Sequence, residues 1–156
     1  MLLVQQAKII GAADPKDYTG AAFAGKYVSL KNYNHLTVII HTGAWAGGTA
    51  AVTMRQATDV AAGTNKALNC DYMWTGTAAS GALTKTAVTA DTFDLAAANT
   101  MYVIEVDAQE LDTTLGYDCV SVLIATPGVN ADLYNVDYIL SQPRYSEDVP
   151  PTAILD

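Results

Sequence analysis

The run from His35 to Ala57 constrains most tightly what this chain can fold into. It reads HLTVIIHT, then GAWAGGT, then AAVTMRQA, two β-favouring segments around a glycine-rich turn. Leu36, Val38 and Ile40 recur at period two, which sets them on one face of a strand with His35, Thr37 and His41 on the other. Ile39 breaks the alternation, so both faces of this strand are expected to be partly covered. Gly43, Gly47 and Gly48 offer positive-φ positions for a chain reversal. Val52 and Met54 then stand opposite Thr53 and Arg55. The expectation is a β-hairpin with one apolar side. A lone hairpin is marginal in water, so further strands must bury that side.

The rest of the chain supplies them. Segment 26–31 (KYVSLK) alternates as a strand and turns at 32–34. Segment 67–74 places Leu68, Cys70, Tyr72 and Trp74 on one side, and 83–92 is a soft Thr/Ala alternation whose register is weakly specified. Residues 93–99 contain enough helix formers for one helical turn. Segment 100–107 sets Tyr102, Ile104 and Val106 against Val103, Glu105 and Asp107. Segment 117–125 follows, and 132–141 carries Tyr134, Val136, Tyr138 and Leu140 on one face until Pro143, which cannot donate to a ladder, ends it. About eight strands with turn signals every 8 to 12 residues, roughly, and no βαβ rhythm, predict an all-β chain: an antiparallel β-sandwich of jelly-roll type.

Extended arms flank the sandwich in this reading, with residues 1–25 as an N-terminal arm, 26–145 as the sandwich domain and 146–156 as a Pro-containing tail. In the arm, Tyr18 and Phe23 are the aromatic residues able to anchor a small-residue string to a surface; the competing reading is a poorly ordered terminus. In the tail, Pro150 and Pro151 stiffen a spacer that projects Ala153, Ile154 and Leu155. Those side chains are costly to leave in water, so the tail is expected to add to a sheet edge or groove, its own or a neighbour's.

Charge narrows the partners. The net charge is −8, and no basic stripe capable of gathering phosphates is present, which argues against nucleic acid. Up to Cys70 there are six basic against three acidic residues, and after it two against thirteen. Such asymmetry marks either a surface that meets a complementary partner or ordinary loop solvation. Only 15% of residues are charged, so an Ala- and Thr-rich surface is left that something else can cover. No stretch approaches a membrane-spanning helix, and MLLVQQAKII lacks the basic start and cleavage site of a signal peptide, which points to synthesis in the cytoplasm. Cys70 and Cys119 are expected as buried thiols, a bridge between them being the minor alternative.

No chemical constellation emerges. His35 and His41 share a strand face but lie roughly 20 Å apart at about 3.3 Å per residue, too far to share one ion. The G-x-S-x-G elbow is absent, and the 43–48 glycines lack the lysine of a phosphate loop. Glu105, Asp107, Glu110 and Asp112 form an acidic run without the spacing of a calcium loop, and edge charges that discourage aggregation account for it. The chain is therefore read as no enzyme, with no cofactor, metal or catalytic residue. Trp45, Trp74 and nine tyrosines keep a carbohydrate- or receptor-binding module as the alternative, with core packing expected to account for most of them, Trp74 especially.

The run YVSLKNYNHLTVIIHTGAWAGGTAAVTMRQATDV, with KALNCDYMW, MYVIEVDAQELDTTLGYDCVSVLIATPGV and VDYILSQPRY, resembles the capsid decoration (cement, head-stabilising) proteins of tailed bacteriophages. The likeness runs from about Tyr27 to Tyr145 and lies in strand and turn phrasing. It implies a jelly-roll sandwich without catalysis, present in many copies on the outer surface of the virion. Its partners would be the major capsid protein and itself, as a homodimer or homotrimer. No contact residue is carried over from the resemblance. From the residues themselves, the partner-binding candidates are Tyr18, Phe23, Trp45, Ile154 and Leu155.

Overall fold

A computed structural model describes residues 2–145 and 151–154. After a short helix α1 (Leu3–Gln6), twelve strands follow among the described residues: β1 (Lys8–Asp17), β2 (Phe23–Ala24), β3 (Val28–Ser29), β4 (Tyr33–Trp45), β5 (Ala50–Ala57), β6 (Asn65–Ala67), β7 (Tyr72–Thr77), β8 (Thr84–Ala87), β9 (Thr92–Leu95), β10 (Thr100–Asp107), β11 (Cys119–Ile124) and β12 (Asp132–Pro143). One sheet runs β1-β12-β4-β10-β7-β8. The other runs β2-β11-β5-β6, with β3 also on β11 and β9 also on β5. Every pairing is antiparallel. This order makes the molecule an antiparallel β-sandwich; jelly-roll connectivity does not follow from it.

The two segments around the 43–48 glycines are not a hairpin. β4 pairs with β10 and β12, whereas β5 pairs with β11, β6 and β9, so the turn carries the chain from one sheet to the other. A hairpin would have put both apolar faces on the same side of one sheet, still needing a cover. Crossing over lets each face cover the other. Leu36 is flanked by Leu140 and Val106, Val38 by Tyr138 and Ile104, and Ile40 by Val136 and Tyr102, and all nine side chains are at most 4% exposed. Val52, Met54, Val122 and Ile124 supply the second sheet's share of the same core and are equally inaccessible. Each such side chain contributes about 1.5–3 kcal/mol when withdrawn from water.

The crossover needs glycine. Gly47 and Gly48 have φ of 142° and 83°, and a Cβ at Gly48 would lie 2.9 Å from the Pro127 carbonyl oxygen. The carboxyl group of Asp132, fully buried, accepts the amide of Ala46 at 2.6 Å and fastens the turn to β12.

Elsewhere several expected strands are shorter or broken, because the chain changes sheet within them. Segment 26–31 retains only β3. Segment 67–74 divides into β6 on one sheet and β7 on the other, with Leu68 and Cys70 buried in the passage. Segment 83–92 breaks at Ala90 and Asp91, both at positive φ, and residues 93–99 form no helical turn. Instead β9 buries Phe93 and Leu95 at period two against β5. The N-terminal arm is also different from the expectation: residues 8–17 are β1, a ten-residue edge strand on β12.

Candidate interaction surfaces

Tyr18 and Phe23 anchor the N-terminal segment to its own sandwich. Tyr18, 7% exposed, stacks on Tyr134 with ring centroids 4.1 Å apart, and Phe23 meets both rings edge-on. The Tyr18 amide donates to the Asp132 carbonyl, and Asp17 Oδ1 accepts from the Asp132 amide, which seats the turn after β1 against the start of β12. Burial holds the Tyr18 and Tyr134 phenols above their usual pKa, so both are neutral side chains of the core.

Trp45 is half-buried against the core, and its indole N–H donates to the Gly48 carbonyl at 3.1 Å. Its polar handle is thus used within the crossover turn. Trp74 and Tyr72 lie near the opposite edge, where the Lys85 ammonium sits 3.8 Å from the Tyr72 centroid and 5.4 Å from that of Trp74.

The tail returns to its own chain. The Ser29 amide donates to the Ala153 carbonyl at 2.7 Å, the Tyr33 hydroxyl donates to the Pro151 carbonyl, and Ala153 is 1% exposed. Of the two tail residues proposed as contacts, Ile154 remains exposed; Leu155, like residues 146–150, lies outside the described residues. The tail docks where β12 ends, since Tyr33 pairs with Pro143. At that same end Lys8 pairs with Leu140, and α1 packs beside β1 and β12. The first and last described residues therefore lie toward the same end of the sandwich, where Leu2, Leu3, Val4, Tyr145 and Ile154 are each 45–65% exposed. Tyr18, Phe23 and Trp45 belong to other parts of the molecule.

One cluster escaped sequence reasoning. His35 Nδ1 lies 2.7 Å from Asp107 Oδ1, and Nε2 contacts Glu105 Oε2, which also accepts the Thr37 hydroxyl. Burial pushes the imidazole pKa down, but the hydrogen bonds and charges of the two carboxylates outweigh it and the net shift is upward. The carboxylates are some seventy residues away and arrive only through the β4–β10 ladder, so no local pattern announces the cluster. His35 lies in a cleft of about 480 Å³ with Cys70, Tyr72, Trp74 and Glu110 on its walls. Burial first, then Asp71, Asp91 and Glu110 nearby, raise the Cys70 thiol to about 11. Cys70 and Cys119 are buried thiols, not halves of a bridge. The acidic run is occupied internally: Glu105 and Asp107 hold His35, Glu110 accepts the Asp107 amide, and Asp112 pairs with Lys66. Among the described residues no three His, Cys, Asp or Glu side chains converge on a point where a metal ion would sit. No helix there is long and apolar enough to cross a membrane.

Neither a protein-family model nor a curated protein sequence matches the chain. Among solved structures, the SPBc2 prophage-derived protein YomS is similar with a TM-score of 0.46 and 11% identity, over 86% of this chain and 93% of that one. A structure of infectious bursal disease virus, Gx strain, is similar with a TM-score of 0.43 and 14% identity, over 93% of this chain and 34% of that one. Both neighbours are viral or phage-derived, and neither is close enough to carry a function across.

Proposed function

We propose that the protein is a noncatalytic structural component of a phage particle that binds the outside of the assembled capsid and bridges subunits of the major capsid protein. The observation that carries this reading is that Leu2, Leu3, Val4, Tyr145 and Ile154 all remain exposed toward the same end of the sandwich. A soluble monomer gains nothing by gathering large exposed side chains from both ends of its sequence, whereas a clamp needs such an anchor. The sequence resemblance to decoration proteins points the same way. A sugar platform built on Trp45 is not favoured, because that ring packs on the core and its N–H is spent on Gly48.

A protein that binds only the assembled lattice stabilises it by mass action, so expansion or internal pressure must also break its contacts. Mixing the purified protein with bare heads, then measuring co-sedimentation and heat resistance, tests this. Saturable binding that raises the disruption temperature, and that Leu3→Asp with Ile154→Asp abolishes, is the expected result. Heads that neither bind the protein nor gain heat resistance would overturn the proposal.

A further inference from the structure

The outward side of the six-stranded sheet is apolar at its centre. The ladders align Gly11, Asp137, Ile39, Val103, Trp74 and Lys85 in one row across all six strands, from β1 to β8. Three large apolar side chains thus occupy the middle of a face opposite the core, with one acid and one base near its two flanks. In the adjoining rows Thr37 stands beside Glu105, and His41 beside Met101. Val103 is already only 8% exposed, and Ile39, Trp74 and Met101 are half-buried.

We infer that this face binds a second copy of the chain, sheet to sheet, about a twofold axis running along the strands between β4 and β10. Such an axis lays β4 over the partner's β10, β12 over its β7, and β1 over its β8, while keeping every row in place. Ile39 then meets Val103 of the second copy, Thr37 meets Glu105, and His41 meets Met101. Asp137 stands over Trp74 of the second copy, one strand spacing, about 4.8 Å, to the side of the opposing Lys85. Gly11, without a side chain, leaves the space that lysine needs. No like charges are superposed, and each contact occurs twice, as an isologous interface requires. The sheet edge at β1 is a poor alternative. It carries Pro15, two register irregularities and the charges of Lys8, Asp14, Lys16 and Asp17, which are devices that block strand addition.

Six strands and three outward rows cover roughly 25 by 20 Å, so a pair hides on the order of 1,000 Å², a small interface. Association is therefore expected to be reversible and visible between about 1 µM and 500 µM.

Sedimentation equilibrium of the full chain without capsids tests this. A monomer–dimer equilibrium is expected, abolished by Ile39→Asp. Lys85→Asp and Asp137→Lys should each weaken it about tenfold, since each removes two symmetry-related pairs. The double exchange should recover to within about threefold. Thermal melts of each variant establish that it is folded. A monomer at every concentration, a dimer indifferent to Ile39→Asp, or a double exchange no better than the single ones would overturn the inference.

Discussion

Replacing Tyr138 by phenylalanine removes one oxygen from the place where the two sheets are tied. Tyr138 rises from β12, is 0% exposed, and ends at the opposite sheet, where its hydroxyl oxygen accepts the amide of Val122 at 3.2 Å. That contact lies opposite the gap between β2 and β3, where Gly25 donates to the Val122 carbonyl at 2.8 Å and the Ser121 hydroxyl donates to the Gly25 carbonyl at 2.8 Å. With phenylalanine the Val122 amide stays buried without this acceptor, at a cost of about 1–3 kcal/mol. For a domain of this size that lowers Tm by roughly 2–12 °C. Burial raises the phenol to about 12, so it stays neutral and the loss should be the same at about pH 6 and about pH 9. Gly25→Ala attacks the same point from the other side, because its Cβ would meet the Tyr138 hydroxyl and lie 2.9 Å from both Ser121 Oγ and the Val122 carbonyl. It should cost about 3 kcal/mol. The two changes are coupled: deleting the hydroxyl makes room for the methyl, so the double variant should be less unstable than the sum by about 1 kcal/mol. Thermal unfolding of the four proteins by circular dichroism measures all of this. A Tm for Tyr138→Phe within about 1 °C of the parent, or strict additivity with Gly25→Ala, would refute the reasoning.

Three further outcomes follow from other contacts. Because the folded-state pKa of His35 is raised, its contribution to stability is complete below the unfolded value of about 6.5 and is lost as pH rises through the folded value; the Tm advantage of the parent over His35→Gln should shrink as pH rises, and parallel pH profiles would contradict it. Tyr18→Ala removes a stacked, buried ring and should cost about 3 kcal/mol while making the chain near residues 17–24 cleavable by protease in the native state, with unchanged proteolysis as the contrary result. Truncation after residue 150 removes the acceptors of the Ser29 amide and the Tyr33 hydroxyl and should destabilise the isolated protein by about 2 kcal/mol in urea titration, whereas a tail that served only a partner would leave the midpoint unmoved.

Period-two alternation determined, without any tertiary information, which side chains of the long strands face the core, though not in 67–74, where Leu68 and Cys70 are buried while Tyr72 and Trp74 stand on the outer face. Tyr102, Ile104 and Val106, or Tyr134, Val136, Tyr138 and Leu140, are buried as their spacing demands, since a pleated strand must send alternate residues to opposite faces. The bounds of β10 and the start of β12 were equally legible. Ile39, the residue that interrupts the alternation of β4, already pointed to an outer face that is not simply polar. What the tertiary structure alone decided was which strands become neighbours. Backbone amides and carbonyls are chemically alike in every strand, so nothing local tells β4 to pair with β10 and β12 in place of β5, or tells residues 68–71 to leave one sheet for the other. That choice comes from covering two apolar faces with each other. It brought Glu105 and Asp107 to His35, and it set the first and last described residues toward one end of the sandwich.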